Sequence, residues 1–400
     1  MTMLYRPFGR TGEMVSILGF GCMRLPIVDG RPDRIDVPLA TEMLRYAIEH
    51  GVNYVDTAYP YHGASFDAPG TSESFVGEAL SGGYRDRVLV ATKLPPWLVK
   101  SRKDMDGLLA GQLERLRSGC VDCYLLHGLK EESWTGLAGL GVREFLDAAK
   151  ADGRIRYAGF SYHDEPQCFA PIVDGYDWDF CQIQYNYMDT DYQAGAAGLA
   201  YAAEKGLGVV VMEPLKGGRL AGPAPEPVQA LWEKAPVKRT PAEWALRFVW
   251  NDPRVSLLLS GMSTMEQVVD NVHLAAGGEA GSLSPQELDL IGQVRAAYRA
   301  RTVVDCTACR YCMPCPQGID IPGVFAAINN ACLYDALEVE LRGYDVDVKA
   351  GHTARASECS ECGQCEAACP QQLPVIEEMA KASRILDRPQ TPVDVGVAGG

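Results

Sequence analysis

From about residue 15 to 275, short apolar runs alternate with segments whose apolar positions recur every three or four residues. The runs are SILGFGCM from Ser16, NYVDTA from Asn53, VLVATKL from Val88, CVDCYLLHG from Cys120, IRYAGFSYH from Ile155, FCQIQYNYM from Phe180, LGVVVMEPL from Leu207 and VSLLLSGM from Val255. Each is rich in β-branched or aromatic residues and too short for a typical helix, so each predicts a buried strand. The intervening segments, such as LATEMLRYAIEHG, MDGLLAGQLERLRS and VREFLDAAKADG, predict amphipathic helices, stopped at Gly51, Gly119 and Gly153. Eight strand-then-helix units of this length predict a (β/α)8 barrel. The residues before Ser16 would form a hairpin closing its floor.

Beyond the barrel the pattern changes. SPQELDLIGQVRAAYRAR predicts a helix capped by Ser284, with Pro285 in its first turn and Glu287 three residues after the cap. GVFAAINNACLYDALEVEL and LPVIEEMAKASRIL also read as helical, whereas DRPQTPVDVGVAGG predicts a loose tail. The expected organisation is a barrel over 1–283, a helical segment with a small, mainly helical domain over 284–388, and a tail over 389–400.

That small domain carries two cysteine runs. The first places Cys306, Cys309, Cys312 and Cys315 at CxxC spacing throughout; the second places Cys359, Cys362 and Cys365 likewise, then Cys369 and Pro370 after a three-residue gap. The second run is the bacterial ferredoxin pattern, in which three thiolates hold one [4Fe–4S] cluster and the fourth reaches the other. Two zinc sites, each of four thiolates, are the competing reading, although zinc ribbons usually use two separated CxxC pairs. If the ligands cross as in ferredoxins, one cluster takes Cys306, Cys309, Cys312 and Cys369, and the other Cys359, Cys362, Cys365 and Cys315. The two-residue gap before Cys315 departs from the usual three.

Composition narrows the partners. With 37 basic and 52 acidic residues the chain has a formal net charge of −15, which argues against general affinity for nucleic acid or anionic membranes. No run could span a bilayer, and the N-terminus lacks a secretory pattern. Fourteen cysteines in such a chain fit a reducing cytoplasm, and oxygen-sensitive clusters would fit an anaerobic or low-oxygen host.

Catalytic residues of such barrels sit at the C-terminal ends of strands. Those ends offer Asp56, Lys93 and His127, with Tyr61 five residues past Asp56. Their chemistry is coherent. A tyrosine with pKa of about 10 is a poor acid at neutral pH. Lys93 would stabilise its phenolate, Asp56 would orient Lys93 and keep it charged, and His127 could donate to a substrate carbonyl. Cys120 and Cys123 form another CxxC, but Cys123 begins an apolar strand, so packing is the expected role; Cys22, Cys168, Cys181 and Cys332 read the same way.

NYVDTAYPYHG, VLVATKL, CVDCYLLHG and SGMSTMEQVVDN resemble the aldo-keto reductase superfamily over roughly residues 1–300. The appended cysteine domain resembles its bacterial and archaeal iron–sulfur branch. The resemblance places the family's catalytic tetrad on Asp56, Tyr61, Lys93 and His127, its spacing favouring Tyr61 over Tyr59. It implies reduction of an aldehyde or ketone by NADPH or NADH, with Tyr61 protonating the oxygen. It implies also that Ser161 and Gln182 hold the nicotinamide carboxamide, and that Leu215, Gly217, Ser263, Gln267 and Asn271 line the pyrophosphate and adenosine side. Three departures stand out: Tyr162 replaces the usual Asn, Met212 the stacking aromatic, and Gln267 the basic side chain set against a 2′-phosphate, leaving NAD and NADP both open. GFGCMR lacks the third glycine of a Rossmann fingerprint.

Hydride transfer moves two electrons and each cluster accepts one, so the barrel chemistry does not require the clusters. Three readings follow. The chain is a carbonyl reductase with a cluster appendage; or an enzyme coupling substrate redox to a ferredoxin or flavoprotein, with a flavin in or near the barrel for which no motif speaks; or a non-catalytic electron carrier. The intact quartet speaks against the third.

Overall fold

The structure is a computed structural model and describes residues 2–306, 308, 310–369 and 371–387. Cys309 and the expected tail over 389–400 lie outside them. The chain divides into two compact units, Met1–Ala221 with Arg239–Leu288, and Gly222–Lys238 with Asp289–Gly400.

The first unit opens with an antiparallel pair, β1 (Tyr5–Pro7) and β2 (Met14–Ser16). Eight parallel strands follow: β3 (Leu18–Gly21), β4 (Tyr54–Asp56), β5 (Leu89–Leu94), β6 (Val121–Leu129), β7 (Ile155–Tyr162), β8 (Phe180–Gln184), β9 (Gly208–Met212) and β10 (Leu257–Ser260). They close in sequence order, with β10 pairing β3, so each of the eight apolar runs supplies one stave of the expected barrel. Near-continuous apolar runs are what a strand covered on both faces requires. Inward residues Tyr54, Leu89, Cys123, Leu125, Phe180, Val210 and Leu257 fill the interior together with Phe8 and Val15 from the hairpin. Arg10 N–H donates to Gly206 O (3.0 Å) just before β9 begins, so the hairpin closes the floor and leaves the opposite rim free for chemistry.

The helical stops are only partly where glycines suggested. Gly51 and Gly153 adopt left-handed φ values of 101° and 79°, but after helix Arg102–Arg115 it is Arg117, not Gly119, that turns left-handed (φ 51°). Ser284 and Glu287 form the expected reciprocal cap: Ser284 N–H donates to Glu287 Oε2 (2.7 Å), and Glu287 N–H to Ser284 Oγ (3.3 Å).

In the second unit the segment between the cysteine runs is two helices, Ile321–Leu333 and Leu337–Lys349, rather than one. The break falls at Asp335, whose φ is 49°. Val324, Phe325 and Ile328 pack with Tyr344 and with Val375, Met379 and Ala382 of helix Val375–Leu386, giving the small helical core expected of a ferredoxin-like domain. Among the described residues no helix is long and apolar enough to cross a membrane.

Candidate active site and cysteine cavities

Because all eight staves are parallel, their C-terminal ends share one rim. Register aligns Gly21 with Asp56, Asp56 with Ala91, and Lys93 with Leu125. Beyond Leu126 the β6–β7 register shifts, and Gly128 takes a left-handed φ of 58°, which sets His127 off the regular ladder.

Lys93 is the centre. Its side chain is 0% exposed, and its ammonium donates to both Asp56 oxygens (2.8 Å each), to Thr57 O (2.8 Å) and to Tyr61 Oη (3.3 Å). Burial alone would lower the Lys93 pKa, but Asp56, then Tyr61, more than offset this and leave it raised, so the lysine remains an ammonium. Tyr61 sits in a loop whose return path is tight: Gly70 N–H donates to Tyr59 O (2.8 Å), and a Cβ on Gly70 would lie 1.9 Å from Tyr61 O. The phenol departs from the sequence expectation in one respect. Burial raises its pKa above the tyrosine norm, and the opposing pull of Lys93 does not reverse that. Tyr59 turns away beneath the Arg115 guanidinium, which lies 5.2 Å from its ring centroid.

His127 meets Tyr61 edge to face at 6.1 Å between ring centroids and is flanked by Trp97 at 5.4 Å. Its Nδ1 is buried without a hydrogen-bond partner. Burial, then Lys93 and His163, hold its pKa well below the usual histidine value, so the ring is neutral. Trp97 donates from Nε1 to Phe66 O (3.0 Å), which places part of the segment after Tyr61 beside this rim. Neither Trp97 nor Phe66 was signalled by the strand-end argument, because Phe66 lies in a loop and Trp97 in a short 3-10 turn beyond β5.

Ser161 and Gln182 are direct neighbours across β7 and β8. Ser161 Oγ accepts from Gly128 N–H (2.7 Å), and Gln182 Nε2 lies 3.5 Å from Met212 Sδ, leaving Gln182 Oε1 buried without a partner. Tyr162 turns into the outer core, its ring 4.9 Å from Phe169. On the far side Ser263 Oγ donates to Arg24 O (2.7 Å) and Ser263 N–H to Gln267 Oε1 (2.8 Å). Gly217 lies beside the Arg24 guanidinium, 3.4 Å from where its Cβ would be. Arg24 is thus a basic group on this side, and its guanidinium is paired with Glu213 (3.6 Å). Asn271 is buried against Ser260 (3.0 Å) at the end of β10, and Leu215 is half-buried against the core.

The cysteine runs enclose two cavities. One, about 410 Å³ including its open mouth, is lined by Cys315 with Cys359, Cys362 and Cys365. The other, about 340 Å³, is lined by Cys306 and Cys369, and Cys312 lies on the wall of both. Cys315, Cys359, Cys362, Cys365 and Cys369 form no disulfide. Among the described residues no three ligand side chains close on a single point as around one ion.

The sequence profile described as the Aldo/keto reductase family matches residues 17–295. The chain belongs to the aldo/keto reductase family. A second profile, the 4Fe-4S dicluster domain, matches residues 305–374. Among relatives, "Protein tas" of Escherichia coli is 25% identical over 357 residues, covering 75% of this chain and 99% of that protein. "Uncharacterized oxidoreductase YrpG" of Bacillus subtilis is 28% identical over 239 residues, 56% of this chain and 69% of its own. The solved aldo-keto reductase AKR11C1 from Bacillus halodurans, in its holo form, is 27% identical with a TM-score of 0.60, covering 73% of this chain and 96% of that chain. This aldo-keto reductase is therefore an oxidoreductase with a dicluster domain appended to its barrel.

Proposed function

We propose that the barrel reduces a small aldehyde or ketone with NADPH or NADH. The observation that carries this is the buried string Asp56–Lys93–Tyr61 facing the neutral imidazole of His127. Reduced nicotinamide, when bound, supplies a hydride to the carbonyl carbon. Gln182 Oε1, buried and unpartnered beside Ser161, is an acceptor suited to the carboxamide N–H. The Arg24 and Gly217 side suits the phosphates. Tyr61 is the acid. Lys93 donates to its oxygen, which leaves the phenolic proton free to point at the substrate and strengthens it as a donor. As the carbonyl oxygen gains charge it takes that proton, and the phenolate left behind rests against the ammonium. Neutral His127 donates to the same oxygen and fixes its place. Carbonyl, hydride and proton then balance as the alcohol, and Trp97 and Phe66 favour a substrate with an apolar or aromatic body.

For the small domain we propose two [4Fe–4S] clusters. One is held by Cys306, Cys309, Cys312 and Cys369, the other by Cys315, Cys359, Cys362 and Cys365. The support is that Cys315 lines the cavity of the second run and Cys369 that of the first. Such clusters supply single electrons, which suits exchange with a ferredoxin or flavoprotein in a reducing cytoplasm. The test is Tyr61→Phe: carbonyl-dependent NADPH oxidation should fall by orders of magnitude while nucleotide affinity is kept. Full activity in that variant would remove the acid assignment. Repeating the assay on cluster-free protein with a verified fold asks whether turnover needs the clusters.

A further inference from the structure

Glu73 is a fully buried carboxylate that the chemistry above does not use. It sits on the second residue of helix Ser72–Ala79, immediately after the loop carrying Tyr61. Its Oε1 accepts from Thr92 Oγ1 and from Gln112 Nε2 (2.8 Å), and its Oε2 from Arg115 Nε (2.7 Å). Gln112 uses the same amide nitrogen to donate to Lys93 O (3.0 Å), while Tyr124 Oη donates to Gln112 Oε1 (2.7 Å).

Strand geometry explains why that carbonyl needs help. Ala91 O accepts from Thr57 N–H (2.9 Å) at the end of β4. Backbone groups alternate sides, so the Lys93 carbonyl points toward β4 as well, beyond the point where β4 has ended. A side chain from helix Arg102–Arg115 replaces the missing strand. The approach is close because Gly77, one turn after Glu73, has no side chain: a Cβ there would lie 2.6 Å from Arg115 O. The loop is fastened at its other end too. Thr57 O accepts from Lys93 Nζ, Thr57 Oγ1 meets Ser72 Oγ (2.8 Å), and Arg115 stacks on Tyr59.

We propose that Glu73, with Gln112 and Arg115, is a positioning unit that locks both ends of the Tyr61 loop to the strand bearing Lys93 and so sets the Tyr61–Lys93 contact. This rests on Tyr61 being the acid. Glu73→Gln keeps the volume but sets an amide donor among donors, freeing the helix start from β5. A misplacement of about 1 Å near the reacting atoms can cost about 100-fold in rate.

The test combines crystallography with kinetics on the full chain, using NADPH and 4-nitrobenzaldehyde. In Glu73→Gln the Tyr61 Oη to Lys93 Nζ separation should lengthen from 3.3 Å. Its kcat should fall about 100-fold with nucleotide KM held within about twofold. Added to Tyr61→Phe, Glu73→Gln should lower the residual rate no further, since both act through one group. An unchanged separation, or the same loss in both backgrounds, overturns the proposal. Full activity in Tyr61→Phe would instead remove the acid assignment, and the crystallographic distance would still decide the positioning claim. Should Glu73→Gln fail to fold, Gln112→Met removes the bonds to the Lys93 carbonyl, Glu73 and Tyr124 while leaving Glu73 paired with Arg115, and carries the same expectations.

Discussion

Replacing Lys93 by Met separates the electrostatic role of the centre from its packing. The Lys93 and Asp56 side chains are 0% and 4% exposed, and the ammonium's three N–H groups are shared among four acceptor oxygens at 2.8–3.3 Å. Met fills most of the stem's volume, so the loss is chiefly that of a counter-charge for a buried carboxylate. Breaking a buried pair in this way costs about 3–5 kcal/mol. For a barrel of this size that lowers the melting temperature by roughly 10 °C. The deficit carries a pH signature. Asp56 already has a raised pKa from burial, against the pull of Lys93, and removing that pull raises it further. A folded-state pKa above the unfolded value of about 3.9 contributes stability that is fully present below pH ~3.9 and is lost as pH rises through the folded pKa. Melts of Lys93→Met should therefore lie nearer wild type at pH 5 than at pH 8. Asp56→Asn combined with Lys93→Met removes both charges and should recover part of the loss, because no ion is left buried alone. A single variant within about 3 °C of wild type at pH 8, or a double variant less stable than the single, would refute the view that an uncompensated charge dominates.

His127 should make the barrel acid-sensitive: its lowered folded pKa contributes stability present above the unfolded value of about 6.5 and lost as pH falls below it. His127→Gln should flatten the slope of melting temperature against pH below that point, and an unchanged slope would show that the ring is not held neutral. In the cysteine domain, Cys315→Ser and Cys365→Ser should perturb one and the same cluster in electron paramagnetic resonance of the reduced protein, whereas Cys369→Ser should perturb the other. Identical spectra from Cys369→Ser and Cys365→Ser would dismiss the crossed ligand sets. Gly70→Ala drives a methyl into the Tyr61 carbonyl, so it should lower the melting temperature and abolish carbonyl reduction together, and a stable, active variant would show that the loop has room the structure does not show.

The barrel was legible in the sequence because strands buried on both faces must be written as short apolar runs, and all eight of them are. Asp56, Lys93 and His127 were legible for a related reason: a polar residue closing an apolar run marks the strand end where the rim begins. Glycine stops were a weaker signal, since Arg117 took the left-handed turn expected of Gly119, and the break at Asp335 had no glycine or proline to announce it. Side-chain reach across elements was not legible at all. Glu73, Gln112 and Arg115 lie on two helices that meet only because Gly77 lets them approach, and Arg24 reaches Gly217 from the other end of the chain order. The division of the cysteines between two cavities is of the same kind: spacing predicts thiolate ligands, but which thiols share a space depends on how Ile321–Leu333 and Val375–Leu386 pack. Local chemistry and periodicity are written along the chain, whereas distances between residues far apart in it arise only when burial brings their elements together.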